Sequence, residues 1–319
     1  MTLRRLALAL GAILAVALLF PDPLLAWTPG THIYLGESVL ANLTALPIAV
    51  ADLLRAFPFD FLYGNIAADS SIAKKYAPVG RHCHHWHVGQ EIFDRAATDG
   101  LRAFGLGYLS HLAADVVAHN YFVPRQLVLT SSTSGFGHSY WESRFEVPLG
   151  ERFAKTAKEV ILLDHRAADS HLDRLIAPTI FSVRTNRRIF RGMVHLTESQ
   201  GWQRAFEIAE RGSRWELPVE SVESHLTLSF DYVMGMLAEP ESEARQFDPA
   251  GDEPLRTAKR MRREALLAGG WRDPSRIEAV AEERFGLPAR TATFAASSIL
   301  RKPWREPVIT RRRQPPGDA

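Results

Sequence analysis

Cysteine is almost missing from this chain: Cys83 is the only one in 319 residues, so no disulfide can cross-link it internally. Stability must come largely from a packed core. A second long, uncharged apolar run is also missing, which excludes a chain that crosses a membrane repeatedly. No convincing alternation of apolar and polar residues marks a set of strands, and no internal repeat marks a solenoid. A large excess of either charge is missing as well: 38 Lys/Arg stand against 36 Asp/Glu, a net charge of only +2. Hydrophobic residues make up 46% of the chain and charged ones 23%, enough apolar material to bury a full-sized core and too much for a disordered chain.

What is present is helical spacing. Apolar residues recur with that period through Ser38 to Phe57, Glu91 to Ala118, Glu151 to Leu163, Leu172 to Val194 and Val219 to Leu237, so the fold class reads as all-α. Turn-rich stretches at Pro78 to Gly80, Pro124 to Gly137 and Glu239 to Glu253 punctuate the pattern. At the N-terminus Arg4 and Arg5 precede the apolar run Leu6 to Phe20, then Pro21, Pro23 and Ala26 follow, the layout of a cleaved signal peptide over residues 1–26. An uncleaved N-terminal anchor is the rival reading, and ordinary secretion fits better than twin-arginine export. The expected product is an exported protein, periplasmic or secreted.

Residues 27–240 then form the main domain, and 241–319 a basic, partly helical extension with a disordered end. Residues 256–319 hold fifteen Lys/Arg against seven Asp/Glu, leaving the remainder mildly acidic. In that extension Arg256, Lys259, Arg260 and Arg263 share one helical face, which is read first as solvated and second as a contact for nucleic acid or anionic lipid, the latter a peripheral contact with an anionic membrane surface.

Chemistry concentrates elsewhere. His111, Asp115 and His119 stand at i, i+4 and i+8 of an otherwise apolar helix, within an arc of roughly 80°. Burying such groups unpaired costs on the order of 2–7 kcal/mol each, and a metal ion compensates directly. His138 and Glu142 repeat the i, i+4 spacing on a second helix, giving H-x3-D-x3-H-x18-H-x3-E, a mixture of nitrogen and oxygen donors suited to zinc. Upstream, RHCHHWH (Arg81 to His87) has four histidines, of which one short segment cannot aim all at one ion. YGNIAAD (Tyr63 to Asp69) adds the carboxylate of Asp69, and WTPGTHIYLG (Trp27 to Gly36) adds His32. Cleavage after Ala26 would give Trp27 a free α-amino group able to chelate with its own carbonyl. Cys83 reads as a small structural residue, and His165, His171, His195 and His225 as ordinary surface or core histidines.

Taken together these motifs resemble the zinc-dependent phospholipase C family, in a superfamily that also holds single-strand nucleases of the fungal type. The resemblance runs from Trp27 to Glu146 and more loosely over Val219 to Leu237. It implies a helical bundle with three zinc ions: Asp69, His82 or His84, His111 and Asp115 at the first, His119, His138 and Glu142 at the second, and Trp27, His32 and a bridging Asp115 at the third. His82 keeps the better spacing from Asp69, with His84 the alternative; His85 and His87 are read as supporting or solvated. The implied activity is hydrolysis of a phosphodiester by a zinc-activated water, with Asp69 as ligand or general base.

The substrate implied is a phospholipid or another phosphodiester. Glu142 in place of Asp, the missing disulfides and the mildly acidic domain lean toward a phospholipase C over a nuclease, and no stable nucleic-acid partner is expected. The alternatives are a single-strand nuclease-type phosphodiesterase and a non-catalytic, zinc-stabilised exported protein that binds lipid or protein.

Overall fold

In the computed structural model, residues 27–72, 74–130, 136–197, 213, 215–239, 241–269, 273–289 and 293–294 are described. The signal-peptide reading and the expected disordered end lie outside these residues. The regular elements are helices: α1 (Pro29–Ala41), α2 (Ile48–Ala56), α3 (Pro58–Ala67), α4 (Trp86–Asp94), α5 (Asp99–Val117), α6 (Val123–Thr130), α7 (Phe136–Glu146), α8 (Glu151–Ile161), α9 (Arg166–Leu175), α10 (Val183–Thr197), α11 (Val219–Ala238), α12 (Asp252–Leu267) and α13 (Pro274–Phe285). The fold is all-α, as the apolar spacing implies. No helix among the described residues is long and apolar enough to cross a membrane.

Three of the long periodic stretches are divided. Ser38 to Phe57 breaks between α1 and α2, where Pro47 has no N–H to continue a helix. Glu91 to Ala118 breaks because Thr98 caps α5, its hydroxyl accepting from Leu101 N–H at 3.3 Å. Leu172 to Val194 breaks around Pro178. The apolar period survives each break because both pieces pack on one core. Conversely, Pro124 to Thr130, which reads as turn, is helical in α6: Pro124 occupies the first turn, where its missing N–H is tolerated.

The centre of the molecule is α5, buried from Ala103 to Val117, with α3, α4 and α11 packed on it and α1 across α3. The α3–α5 crossing depends on Gly64 and Gly107. A Cβ on Gly64 would strike Phe104 O and lie 2.9 Å from Gly107 Cα, while one on Gly107 would strike Phe61 O. Backbones therefore touch here, and the C-terminal end of α3 is pressed against the middle of α5. Trp27 seals the other side. Its indole is wholly buried, stacks 3.9 Å from Phe145 and 5.2 Å from Phe122, and donates to Ala114 O at 3.1 Å.

Beyond residue 240 the chain returns to this core. Helices α12 and α13 pack on α6, and the Arg262 guanidinium donates to Val128 O and Leu129 O, two carbonyls near the end of that helix.

Candidate metal centre

The α3–α5 contact sets the first group of donors. Asn65 O, near the end of α3, accepts from His111 Nδ1 at 2.8 Å, and Asp69 follows in the 3₁₀ turn Ala68–Ser70. Because a carbonyl can only accept, the His111 proton sits on Nδ1, and in its neutral form the imidazole presents a bare Nε2. That nitrogen is 3.1 Å from Asp115 Oδ2, 3.1 Å from His84 Nε2 and 3.9 Å from Asp69 Oδ1. His84 Nε2 in turn lies 3.0 Å from Asp115 Oδ2 and 3.3 Å from Asp69 Oδ1. His32 stacks on His111 with ring centroids 3.9 Å apart, and its Nε2 is 3.3 Å from Asp115 Oδ1. The two oxygens of Asp115 thus face two different sets of imidazoles.

A second group lies alongside. Helix α7 aligns His138 Nε2 with Glu142 Oε1 at 2.6 Å, and Trp141 and Phe145, beside them at i+3 and i+7 on the same side of the helix, are buried with them. His119 joins them with Nε2 3.7 Å from Glu142 Oε1. It can do so because α5 gives way at Ala118–Phe122 to a π-helical turn. The cause is local: Pro124 offers no N–H to Asn120 O and its ring crowds that carbonyl, so the last turn of the long helix widens. His119 is therefore not on a straight helical face with His111 and Asp115, as the i, i+4, i+8 spacing suggests. The rings of His84 and His119, one from each group, are 6.5 Å apart.

None of His32, Asp69, His84, His111, Asp115, His119, His138 and Glu142 is more than 5% exposed. Burial holds the imidazoles of His32 (lowered to about 4), His119 and His138 below their ordinary value, so they are neutral and able to coordinate. Burial also raises the Glu142 carboxyl well above the usual range, with Asp69 and Asp115 adding to it. Asp69 and Asp115 go the other way: burial would raise both, but Lys74, His111 and His84 beside Asp69, and His111, His32 and His84 beside Asp115, hold them below it.

Whether a metal fits here is answered by the unsatisfied atoms. Both Asp115 oxygens, His32 Nε2, His119 Nε2 and Glu142 Oε2 are buried without a hydrogen bond, although partners stand within 3–4 Å. They converge on common points rather than on one another, the arrangement of donors around a cation. Among the described residues four groups have all their donor atoms within 4.8 Å of one another, and three of them fall in this centre: Asp69, His84 and His111; His32, His111 and Asp115; and His119, His138 and Glu142. The nitrogen and oxygen donor set suits zinc.

The remaining sequence candidates fall outside these sets. His82 groups only with Cys83 and His84, its Nδ1 accepting the His84 backbone N–H at 3.1 Å. The structure thus brings His84, the alternative with the less regular spacing, to Asp69. Cys83 is buried with Sγ 3.1 Å from His84 Nδ1, so the sulfur is the partner of that imidazole's far nitrogen. Trp27 places its indole in the core beside the centre, and its Thr28 neighbour accepts the His32 N–H at 3.2 Å.

Two features escaped the sequence. Lys74 donates to Asp69 Oδ1 at 2.8 Å and lies 3.2 Å from His84 Nε2; no periodicity marks a lysine in an irregular segment. The other is a clamp from beyond residue 240. Pro249 O accepts from His119 Nδ1 at 2.6 Å, Asp248 O from Asn120, and Phe247 O from the Trp86 indole. Gly251, at φ 62°, lies against His119 so closely that a Cβ would be 2.6 Å from His119 O. Pro249 O fixes the tautomer that bares Nε2 of His119 toward Glu142.

An all-helical core holding two adjacent groups of buried histidines and carboxylates is a candidate metal centre. Residues 31–188 match the family described as zinc dependent phospholipase C, and over that stretch the chain belongs to it. All eight clustered residues lie inside the match; Trp27 and the clamp at 247–251 lie outside it. No curated protein and no solved structure matches the chain.

Proposed function

We propose that this protein is a zinc-dependent phospholipase C that cleaves phospholipid head groups, with Asp69, His84, His111, Asp115, His32, His119, His138 and Glu142 as the metal-holding side chains. One observation carries the reading: two groups of buried donors stand side by side, 6.5 Å between the His84 and His119 rings, close enough to act on one phosphate. When bound, zinc lowers the pKa of water toward roughly 7 and neutralises phosphate oxygens.

The chain's own residues set the conditions. Asp115 turns one oxygen to His32 and the other to His84 and His111, which suits it to join neighbouring ions. Asp69 is held anionic by Lys74, His111 and His84 against its burial, so it serves as a ligand better than as a general base, which needs a pKa near the working pH. The ammonium of Lys74, fixed by Asp69, adds positive charge where a phosphate would bind.

The test is a panel on the zinc-loaded protein: phosphatidylcholine, a short-chain soluble analogue and single-stranded DNA. Release of the phosphorylated head group, abolished by a chelator and by His138→Ala, is the expected result. Cleavage of DNA alone would reassign the protein to the nuclease branch, and bound zinc without turnover of any diester would make the centre structural.

A further inference from the structure

The segment Arg81 to His87 carries four histidines, and the centre uses one of them, His84. The other three stand in a row that leads away from it. Ring centroids of His84 and His82 are 5.6 Å apart, those of His82 and His85 5.4 Å, and those of His85 and His87 5.3 Å. On the inner side the row continues from His84 to His111 at 5.0 Å. Exposure rises along it: His84 is 1% exposed, His82 and His85 are half-buried, and His87 is exposed in the first turn of α4.

These spacings have a chemical meaning. Zinc sits about 2.1 Å from an imidazole nitrogen, so two imidazoles sharing one tetrahedral ion place their ring centres about 5 Å apart. Each step of the row is close to that distance, and neighbouring rings can hold one ion between them. Nitrogens stand ready to do so. His85 Nδ1 is buried with no hydrogen bond, and His87 Nε2 donates to Gly80 O at 2.5 Å, which leaves Nδ1 bare on the neutral ring. His82 Nδ1 would exchange the His84 backbone N–H, accepted at 3.1 Å, for an ion. Next along the row, His82, Cys83 and His84 have donor atoms within 4.8 Å of one another, a fourth group that shares His84 with the centre. Burial makes such a route necessary: the eight donors of the centre are at most 5% exposed, and an ion stripped of water cannot cross an apolar core without donors to replace it.

We propose that His87, His85 and His82 are an entry path for zinc. They take the ion from solvent, pass it to the group of His82, Cys83 and His84, and deliver it to Asp69, His84 and His111. This inference rests on the zinc reading above and is independent of which diester is cleaved.

The experiment mixes zinc with metal-stripped wild-type protein and with the double variant His85→Asn, His87→Asn, following uptake by stopped flow with a chromophoric zinc indicator. Asn suits the N-cap that His85 occupies on α4 and lacks the imidazole that zinc prefers. Uptake should slow about tenfold, a barrier higher by about 1.4 kcal/mol, and release to a chelator should slow by the same factor. Zinc content at equilibrium should equal that of the wild type, because a path changes rates and not affinities. His87→Asn alone, at the exposed end, should slow uptake by a smaller factor. Uptake by the double variant at the wild-type rate overturns the path, and so does a loss of zinc at equilibrium, which would make these histidines ligands. Wild-type protein that binds no zinc refutes the centre and the path together. Where the wild type loads zinc but cleaves no diester, the hydrolase reading fails alone, and the uptake rates still decide the path: slowing sustains it and equality refutes it.

Discussion

The two halves of the centre hold their donors in different ways. The half made by His32, Asp69, His84, His111 and Asp115 grows from a backbone contact, Gly64 on Gly107, and its two carboxylates are kept ionised by a lysine and several imidazoles. The half made by His119, His138 and Glu142 depends on a π turn and on a carbonyl supplied from Pro249, and its one carboxyl is raised by burial. The first half is charged and preorganised before any ion arrives; the second needs an ion to ionise Glu142. Zinc should therefore fill the first half more tightly and leave the second half first.

The sharpest way to break this comparison is Asp115→Asn. Because both oxygens of Asp115 serve the first half, activity on a soluble diester should fall on the order of a thousandfold, several kcal/mol of lost phosphate stabilisation. Zinc analysis should show depletion of that half; a variant with wild-type kcat/KM and zinc content would contradict the bridging role.

Gly251→Ala addresses the other half. It introduces a Cβ against His119 and a left-handed strain, and should weaken the weakest zinc site by about 10–100-fold, the usual penalty for disturbing a ligand's supporting partner. Calorimetric zinc titration, with circular dichroism as a check on folding, should leave the tight sites unchanged. Uniform weakening of all sites would erase the distinction.

A smaller effect concerns protons. The Glu142 carboxyl is raised well above its ordinary value, so the folded, zinc-free chain keeps a proton there that the unfolded chain has released; zinc binding must expel it. Titrations in buffers of differing ionisation enthalpy should show proton release on filling the second half, from Glu142, and on filling the first, from His84, whose imidazole Cys83, Asp115 and Asp69 hold well above its ordinary value against burial and Lys74. Zinc binding to the second half without proton release would contradict a protonated Glu142.

The smallest is stability in acid. His225, packed on Phe122 and Phe145 and lowered by burial to about 4, stays neutral in the fold while the unfolded chain protonates near 6.5. Stability of the zinc-free protein is therefore lost as pH falls from about 6.5 to about 4, on this account and on that of His32. The unfolding midpoint should decline across that window, less steeply in His225→Phe; a flat profile would contradict it.

Much of the centre was legible because its residues repeat at helical intervals on two helices: His111 with Asp115, and His138 with Glu142. The all-α class was legible for the same reason. His84 over His82 was not, since the choice turns on how an irregular segment folds onto α5 rather than on spacing. The π turn was hidden because Pro124 reads equally as a loop signal. Lys74 and the Phe247–Gly251 clamp carry no local period at all; they reach the site only through contacts distant in sequence, Trp86 to Phe247 and His119 to Pro249.

The most direct test is anomalous diffraction at the zinc absorption edge from crystals of the zinc-loaded protein. Peaks are expected among Asp69, His84, His111, His32 and Asp115, and among His119, His138 and Glu142, the latter losing occupancy first as zinc is withdrawn. Fully loaded crystals with no anomalous peak at either group would refute the metal centre itself.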